Sequence, residues 1–405
     1  MITPTPTPSP RLVSLDALRG FDMFWIVGAD SLVRALDALS PTAPVRFLAA
    51  QLEHKDWAGF AFYDLIFPLF VFIVGVSLVF SLTGRLEREG RPAVVKKILR
   101  RAAVLFLLGI FYNGGLAQPW PEVRLVGVLQ RIALAYAAAG ILFCYFRPRR
   151  LVIIGAALLL GYWAALSFVP IRDIQLDNAA LAARLGVEKP TLAQAHAAFD
   201  ATTARVSGRF DPGLNLANHL DFQYLPGRNY DKYYDPEGLL STIPAVVTCL
   251  IGVFAGLLLK RVDLDARQKL LRLAIGGLLA IGAGWLWHLD FPVIKKLWTS
   301  SYVLVAGGYS LLLLGAFYYV IDVREWRRWC QPFVWIGTNP ITIYLSFGII
   351  GYDTIARRLA GGSVAAWLDV HVARGWGTVT LVALSLGAVF ALARFLYRRG
   401  IFLRV

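Results

Sequence analysis

The chain has 405 residues, of which 57% are hydrophobic and 17% are charged, and its mean hydropathy is +0.59. A water-soluble domain of this length could not hide so many apolar side chains, so the composition excludes that class and predicts an all-α, polytopic membrane bundle. The formal net charge is +15. Because the basic residues cluster in alternate connecting segments, the charge indicates membrane topology and gives no support to nucleic-acid binding.

Apolar runs of the length that crosses a hydrocarbon core predict about ten transmembrane helices. We place them near residues 13–36, 60–83, 98–114, 125–146, 151–169, 239–260, 269–288, 301–320, 332–351 and 376–397. The proline-rich residues 1–10 are expected to form a flexible tail, and residues 11–405 the transmembrane domain. A long polar insert, at about 170–238, separates the fifth and sixth spans.

The distribution of Lys and Arg predicts the orientation of these spans. If the N-terminus is cytoplasmic, the segments around 85–101, 147–150, 260–272, 324–328 and 394–404, all rich in basic residues, lie inside. Both termini are then cytoplasmic. The insert lies on the opposite face, which is periplasmic if the membrane is a bacterial inner membrane.

The first span carries more charge than a helix facing lipid would tolerate. It holds Asp16, Arg19, Asp22 and Asp30, and a charge at the centre of a membrane helix costs roughly 2.5–3.5 kcal/mol on insertion scales. On a continuous helix, Asp16, Arg19 and Asp30 share one polar stripe. Asp16 and Arg19 either form a structural ion pair or belong to a site, and Asp30, near the outer end, is a catalytic candidate.

One histidine, His54, lies in a polar run that leads directly into the second span. Histidine changes protonation near neutral pH and is the commonest general base in enzymes. A nearby carboxylate, Asp30 or Asp64, could fix the tautomer of its ring. His54 is therefore predicted to be catalytic at the outer face of the membrane. The alternative is a residue that only caps the helix at the interface.

Two later spans contain polar residues that suit ligand binding. Gln130 and Arg131 interrupt the fourth span, and a buried arginine needs either an acidic side chain or a ligand anion as partner. In the ninth span Asn339 precedes a proline that breaks the helix, which is tolerated where the backbone lines a cavity. On the inner side, the run from Lys96 to Arg101 either sets topology or binds phosphates.

The end of the insert alternates aromatic with acidic side chains, among them Tyr234, Asp235 and Glu237. Such a surface could bind a sugar, or it could form an aromatic belt at the membrane interface. His196 and His219 are expected to be surface residues. The three cysteines, Cys144, Cys249 and Cys330, are interpreted as small core residues, and no metal-ligand spacing is present.

Six blocks occur in order along the chain: SLDALRGFDMFW, HKDW-x-GF-x(3)-DLIFPLFVFIVG, VRLVGVLQRIALAY, YDPEGLLSTIPAVVTCLIGVFAG, KKLWTSSYVL and IGTNPITIY. Together they resemble the heparan-α-glucosaminide N-acetyltransferase family and its bacterial, NagX-like members, from about Arg11 to the C-terminus. The resemblance implies transfer of an acetyl group from cytosolic acetyl-CoA to the amino group of a glucosamine-type sugar on the other side of the bilayer. It also implies a homodimer.

The resemblance assigns the catalytic histidine to His54 and matches Asp30 to a position that is asparagine in the lysosomal enzymes. Asp64 completes the expected catalytic group. Residues expected to contact acetyl-CoA are Arg131, Gln130, Asn339, Arg101 and Arg19, and those expected to contact the sugar are Asp235, Glu237, Trp57 and Tyr234.

Two routes of transfer stay open, because His54 could act as a general base or carry the acetyl group itself as an acyl-imidazole. Other functions stay open as well: O-acylation of a polysaccharide, sugar transport without acyl transfer, or a non-catalytic scaffold. No metal cofactor is expected.

Overall fold

The computed structural model describes residues 12–40 and 42–403. The expected tail, residues 1–10, lies outside these ranges. In chain order the helices are α1 Val13–Phe24, α2 Asp30–Leu39, α3 Ala43–Gln51, α4 Phe62–Glu89, α5 Arg91–Tyr112, α6 Val128–Tyr145, α7 Pro148–Phe168, α8 Asn178–Leu185, α9 Leu192–Ala201, α10 Leu216–Tyr224, α11 Thr242–Lys260, α12 Ala266–Trp287, α13 Ser300–Phe317, α14 Gln331–Gly337, α15 Pro340–Ile350, α16 Tyr352–Ala360, α17 Ser363–His371 and α18 Trp376–Arg398. Short 3₁₀ turns cover Gly115–Ala117 and Trp120–Glu122, and π-helical segments cover Trp25–Ala29 and Tyr318–Val323. The predicted all-α architecture is confirmed.

In the described ranges, seven helices are long and apolar enough to cross a membrane: α4, α6, α7, α11, α12, α13 with its extension to Val323, and α18. An eighth span results if α14 and α15, which are bent by 81° at the break before Pro340, are taken as one. The break occurs where the proline of the ninth predicted span cannot donate a backbone hydrogen bond.

The prediction of about ten spans is therefore higher than the seven or eight that length and composition support. The third predicted span is the continuous helix α5, but five basic residues occupy its first half: Arg91, Lys96, Lys97, Arg100 and Arg101. The first predicted span is divided, because Gly28 adopts φ 108 inside the π-helical segment between α1 and α2. A side chain rarely adopts that conformation, so glycine permits the kink.

The chain forms two compact units. One comprises residues 40–312, and the other comprises the residues up to 39 together with those from 313 onward. In the first unit α4 packs on α11 at a close crossing of two glycines. A Cβ atom at Gly75 would lie 1.9 Å from the Cys249 carbonyl oxygen, and one at Gly252 would lie 2.0 Å from that of Phe72. Only glycine lets the two backbones approach this closely.

The insert of the same unit has its own hydrophobic core. Its two strands, β1 Ile171–Arg172 and β2 Arg205–Val206, pair antiparallel, and its buried side chains include Ile174, Leu176, Leu181, Phe199, Phe222, Tyr233 and Tyr234. The prediction that His219 is a surface residue is wrong, because this core covers it. Its Nε2 lies 3.1 Å from the Ile174 carbonyl oxygen, and burial lowers the pKa of its imidazole to about 4. His196 is exposed as expected, and the three cysteines are buried and free.

The second unit contains α1, α2 and α14–α18. Here α1 packs on α14 through another pair of glycines, since a Cβ atom at Gly20 would lie 1.7 Å from the Phe333 carbonyl oxygen and one at Gly337 would lie 1.8 Å from that of Asp16. Helix α18 packs against α2, α14, α16 and α17.

Candidate active site at the start of α4

The first turn of α4 holds a buried carboxylate. Asp64 is the third residue of the helix, and its Oδ2 atom accepts hydrogen bonds from the backbone N–H groups of Ala61 (3.1 Å) and Lys55 (3.3 Å). A negative charge is favoured at a helix N-terminus, where backbone N–H groups lack helical partners. Asp64 is thereby fixed, with its other oxygen, Oδ1, turned toward the preceding loop.

His54 lies on that loop, and its Nδ1 atom is 2.9 Å from the Asp64 Oδ1 atom. Because an ionised carboxylate only accepts hydrogen bonds, Nδ1 carries the hydrogen and Nε2 keeps its lone pair. The ring stacks on Tyr63 with centroids 4.6 Å apart, and its side chain is 51% exposed. The arrangement is that of a general base oriented by a buried acid. The helix end is capped by Asp64 and not by His54, so the alternative role of His54 as a cap is not supported.

The loop that carries His54 is pinned on both sides. Ala58 pairs with Ile294 in an isolated bridge, and the Gly59 N–H group donates to the Val293 carbonyl oxygen at 2.8 Å. The Trp57 indole N–H group donates to the Phe210 carbonyl oxygen at 2.7 Å. Trp57 therefore anchors the loop to the insert, and its predicted contact with a sugar stays a prediction.

A lysine that sequence reasoning missed completes this group. Lys295, in the loop between α12 and α13, has its Nζ atom 2.9 Å from Nδ1 and 3.1 Å from Nε2 of His54, and 3.6 Å from Oδ1 of Asp64. Burial lowers the pKa of the Lys295 ammonium, and the Asp64 carboxylate opposes that shift. The signal in the sequence was the KKLWTSSYVL block, which brings two lysines to the start of an apolar helix.

Packed side chains connect the site to Arg131. The Tyr302 hydroxyl donates to the Asp64 carbonyl oxygen at 2.7 Å, and its ring meets that of Trp298 edge-on with centroids 5.3 Å apart. The Arg131 guanidinium lies 4.8 Å from the Trp298 ring centroid, a cation–π distance. Its Nη2 atom donates to the Ser241 hydroxyl.

Several buried polar atoms between α5 and α6 have no hydrogen-bond partner among the described residues. They are Nε and Nη1 of Arg131, both amide atoms of Gln130, and Nε of Arg101. Arg101 lies 5.0 Å from the Tyr136 ring. Unsatisfied buried donors are costly, and a guanidinium most of all. The guanidinium groups could donate to anionic oxygens of a bound ligand, and the Gln130 amide could both donate and accept.

Asp235 and Glu237, predicted to bind the sugar, are held by Arg124. The guanidinium donates to both oxygens of Asp235, at 2.9 and 2.7 Å, and to Glu237 at 2.7 Å. The N–H groups of Tyr230 and Glu237 also donate to Asp235, whose side chain is fully buried. Both oxygens of the Asp235 carboxylate are therefore fully hydrogen-bonded within the protein, and the residue has a structural role in holding Arg124. Burial raises the pKa of Glu237, which stays partly exposed.

Tyr234 lies in the hydrophobic core of the insert, where burial raises the pKa of its hydroxyl to about 12. Its ring packs against protein, and the expectation that it faces a sugar was based on the alternation of aromatic and acidic residues alone. The burial pattern of the insert was not visible from that alternation.

The remaining candidates belong to the second unit. Arg19 donates to Asp16 and to the Gly337 carbonyl oxygen, both at 3.0 Å, so the ion pair that their spacing predicts is present. The Asn339 amide bonds the backbone of Ile401 and Leu403, both at 2.9 Å. Because its amide is occupied by the C-terminal segment, Asn339 has a structural role here.

Asp30 begins α2 and forms an ion pair with Arg34, four residues along the helix. The kink at Gly28 places it on a different helix from Asp16 and Arg19, so the predicted stripe of these three residues is wrong. A catalytic role for Asp30 stays a prediction. In the described ranges no group of three or more His, Cys, Asp or Glu side chains could hold a metal ion.

Residues 11–191 match the family model described as heparan-alpha-glucosaminide N-acetyltransferase, catalytic. The human heparan-alpha-glucosaminide N-acetyltransferase is 28% identical over 334 residues, 72% of this chain and 48% of its own length. The mouse protein of that name is 28% identical over 344 residues, 74% of this chain and 49% of its own. The chain spans about half the length of the curated relatives it matches.

Proposed function

From its similarity to heparan-alpha-glucosaminide N-acetyltransferases, we propose that the chain is a member of that family and a membrane acetyltransferase. It takes the acetyl group of acetyl-CoA and transfers it to the amino group of a glucosamine-type sugar. The observation that carries this proposal is the half-exposed His54 ring, whose Nδ1 lies 2.9 Å from the buried Asp64 carboxylate.

The chemistry follows from the state of the two reacting groups. A protonated sugar amine has no lone pair, so the neutral amine is the form that attacks the thioester carbon, and a base must remove one proton from its nitrogen as the C–N bond forms. The Nε2 atom of His54 accepts that proton, and Asp64 stabilises the imidazolium that forms. Collapse of the tetrahedral adduct breaks the C–S bond, and the coenzyme A thiolate takes the proton back from the imidazolium. In the alternative route Nε2 of His54 attacks the thioester carbon and the coenzyme A thiolate leaves. The amine then attacks the acyl-imidazole, the ring leaves as neutral imidazole, and the proton lost by the amine nitrogen goes to the thiolate.

Arg131, with Gln130 and Arg101 beside it, is the best-supported binding group for acetyl-CoA. Their buried donors lack protein partners in the described part of the chain, and oxygen atoms of the coenzyme would satisfy them. Contacts from Tyr302 and Trp298 join Arg131 to Asp64, so a thioester bound near Arg131 could reach the histidine. Arg19 and Asn339 receive less support, because their polar groups already bond the protein.

The side of the membrane is part of the proposal. With cytoplasmic termini, His54 and the insert face the periplasm of a bacterial inner membrane, and acetyl-CoA enters from the cytosol. The basic segments along the chain support this orientation. On the outer side Glu237, which stays partly exposed, is proposed to contact the sugar together with Trp57. A homodimer is proposed from the family alone.

The test uses the purified full-length protein in lipid nanodiscs with acetyl-labelled acetyl-CoA. Glucosamine supplies an amine, and N-acetylglucosamine supplies only hydroxyl groups. Label is expected on glucosamine, and His54→Ala is expected to lower the rate by roughly 10²–10⁴-fold. His371→Ala, which removes an exposed histidine of α17, is the matched control.

Three results would count against the proposal. A folded His54→Ala protein that labels glucosamine at the normal rate removes the histidine from the mechanism. Label on the hydroxyl-only sugar supports O-acylation instead. Uptake of labelled sugar into proteoliposomes without coenzyme A supports a transporter.

A further inference from the structure

We propose that Lys295 is a further catalytic residue, whose ammonium group stabilises the negative oxygen that forms on the thioester carbon during transfer. This inference rests on the proposed acetyltransferase activity and adds a residue that the resemblance did not assign. It starts from the position of one atom, the Lys295 Nζ, relative to the His54 ring.

The position of Nζ is unusual for a simple ion pair. It lies 2.9 and 3.1 Å from the two ring nitrogens of His54 but 3.6 Å from the nearest oxygen of Asp64. The two nitrogens flank one ring carbon, so an atom in the ring plane at these distances would collide with that carbon. Nζ therefore lies over a face of the ring. Lys295 also forms an ion pair with Asp64, but its shortest contacts are with the ring.

The backbone hydrogen bonds around Lys295 hold its side chain in this position. The Ile294 N–H group donates to the Thr299 hydroxyl at 3.0 Å, and the Trp298 N–H group donates to the Lys295 carbonyl oxygen at 2.9 Å. Trp298 itself adopts φ 52, which few residues other than glycine occupy. A strained turn of this kind persists only where its surroundings hold it, and such turns cluster at functional sites. The next residue, Lys296, is directed elsewhere and bonds Asp231 of the insert at 2.8 Å.

An ammonium has three N–H donors, and its contacts with His54 and Asp64 use at most two. A nitrogen that gives its proton to Nε2 must lie within hydrogen-bonding distance of that atom, and Nε2 is 3.1 Å from Nζ. The carbonyl carbon being attacked is bonded to this nitrogen in the adduct. Its oxygen then lies within reach of the third N–H group of Lys295.

The step balances without further reactants. The amine lone pair forms the C–N bond, the C=O π electrons move to the oxygen, and His54 takes the amine proton. Lys295 donates a hydrogen bond to the oxygen but keeps its proton. When the oxygen lone pair re-forms the C=O bond, the C–S bond breaks and the thiolate leaves with the proton from His54. Preorganised donors of this kind act mainly on the transition state.

Three variants of the full-length protein test the inference: Lys295→Met, Lys295→Arg and, as control, Lys296→Met. Lys295→Met is expected to lower kcat by roughly 10²–10³-fold, the usual cost of losing one oxyanion donor, with little change in either KM. Lys295→Arg keeps the cation and is expected to recover part of the rate. Lys296→Met should match the unchanged protein. Thermal unfolding of each variant in nanodiscs checks that it is folded.

The pH profile supplies a readout that a structural role would not move. Lys295 faces His54 and Asp64, and Glu237 and Lys296 also act on its charge. Burial lowers the pKa of its ammonium, so kcat of the unchanged protein falls at alkaline pH as the ammonium is lost. In Lys295→Arg that fall is expected at higher pH, because a guanidinium stays protonated.

Each outcome separates this inference from the proposed function. If the unchanged protein transfers acetyl groups and Lys295→Met does so at the same kcat, Lys295 has no catalytic role and the proposed function stands. A rise in KM alone would make Lys295 a binding residue and overturn the inference. If the unchanged protein transfers acetyl to none of the acceptors, the proposed function fails and this inference fails with it.

Discussion

Two clusters in the same unit contain the same kinds of residue and differ in what they can do. The first is His54, Asp64 and Lys295, and the second is Arg124, Asp235 and Glu237. In each, a fully buried carboxylate, Asp64 or Asp235, lies beside a cation. That cation, Lys295 or Arg124, is in a loop outside the membrane-spanning helices. Around Asp235 every acceptor is used by Arg124 and two backbone N–H groups. Beside Asp64, in contrast, the His54 ring is half-exposed and keeps a lone pair on Nε2.

A carboxylate whose hydrogen-bonding positions are all occupied by the protein has a structural role, whereas one that leaves a neighbouring group reactive can be part of an active site. A bidentate arginine–carboxylate pair has nothing left to offer a substrate, whereas an imidazole held on one side by an acid has one reactive atom left over. Acidic residues in a polar segment were equally strong candidates in both places. The residue facing each acid decides between the two roles.

The largest expected effect comes from Asp64→Asn, which breaks the first cluster without changing its shape. An amide can donate to Nδ1 and thereby favour the wrong tautomer, with the hydrogen on Nε2. In a serine protease the equivalent change lowers kcat by about 10⁴-fold. We expect a loss of that order in acetyl transfer, measured with labelled acetyl-CoA. Asp235→Asn is the matched control. A loss of the same size there would contradict the comparison.

Arg124→Met should affect stability instead of chemistry. It leaves Asp235 buried without its cation, and breaking a buried ion pair in this way typically costs about 3–5 kcal/mol. We expect a lower unfolding temperature and weaker binding of the 113–127 segment to the insert. The transfer rate per folded molecule should stay close to that of the unchanged protein. A variant of normal stability with no activity would move this cluster into the active site.

How far the sequence predicted these clusters depends on the distance along the chain between their members. His54 and Asp64 are ten residues apart and lie at the start of one apolar helix, so both could be found without a structure. Lys295 is 241 residues from His54, and Arg124 is 111 from Asp235. Nothing local to Asp235 reveals that an arginine saturates it.

The fold was also predicted well where the signal is local in sequence and poorly where it depends on contacts between distant residues. Apolar runs located the long helices, and Pro340 located the break between α14 and α15. The kink at Gly28 was not predicted, since one glycine in an apolar run is common and only packing determines its φ of 108. That kink separates Asp30 from the polar stripe that the sequence predicted it to share with Asp16 and Arg19. The burial of His219 was missed for a similar reason, because the core of the insert forms from residues distant in sequence.

The smallest expected effect concerns stability and a histidine outside both clusters, His219. His219 is buried, and its folded-state pKa of about 4 lies below its ordinary 6.5. The neutral ring is therefore tolerated above pH 6.5, and stability is lost as pH falls from 6.5 toward 4, because the unfolded chain binds the proton more tightly.

The variant His219→Gln keeps a donor for the Ile174 carbonyl oxygen and removes this titration. We expect this variant to be less stable than the unchanged protein at neutral pH, and the difference in stability, measured by thermal unfolding, should become smaller as pH falls from 6.5 to 4. Burial raises the pKa of Asp221 to about 7, which has the opposite sign: its contribution is present below the ordinary carboxyl pKa and lost as pH rises through 7. Asp221 is present in both proteins and cancels in the difference. A deficit independent of pH would show that the His219 ring does not titrate as described.

In the proposed mechanism the Nε2 atom of His54, which is oriented by Asp64, takes the proton of the attacking amine, and this role can be examined by chemical rescue. The folded His54→Ala protein is assayed for acetyl transfer to glucosamine while imidazole is added. We predict a rate that rises with the concentration of neutral imidazole, because the half-exposed position of the ring is open to a small base. A His54→Ala protein as fast as the unchanged one, or one that stays slow at every imidazole concentration, would contradict the account.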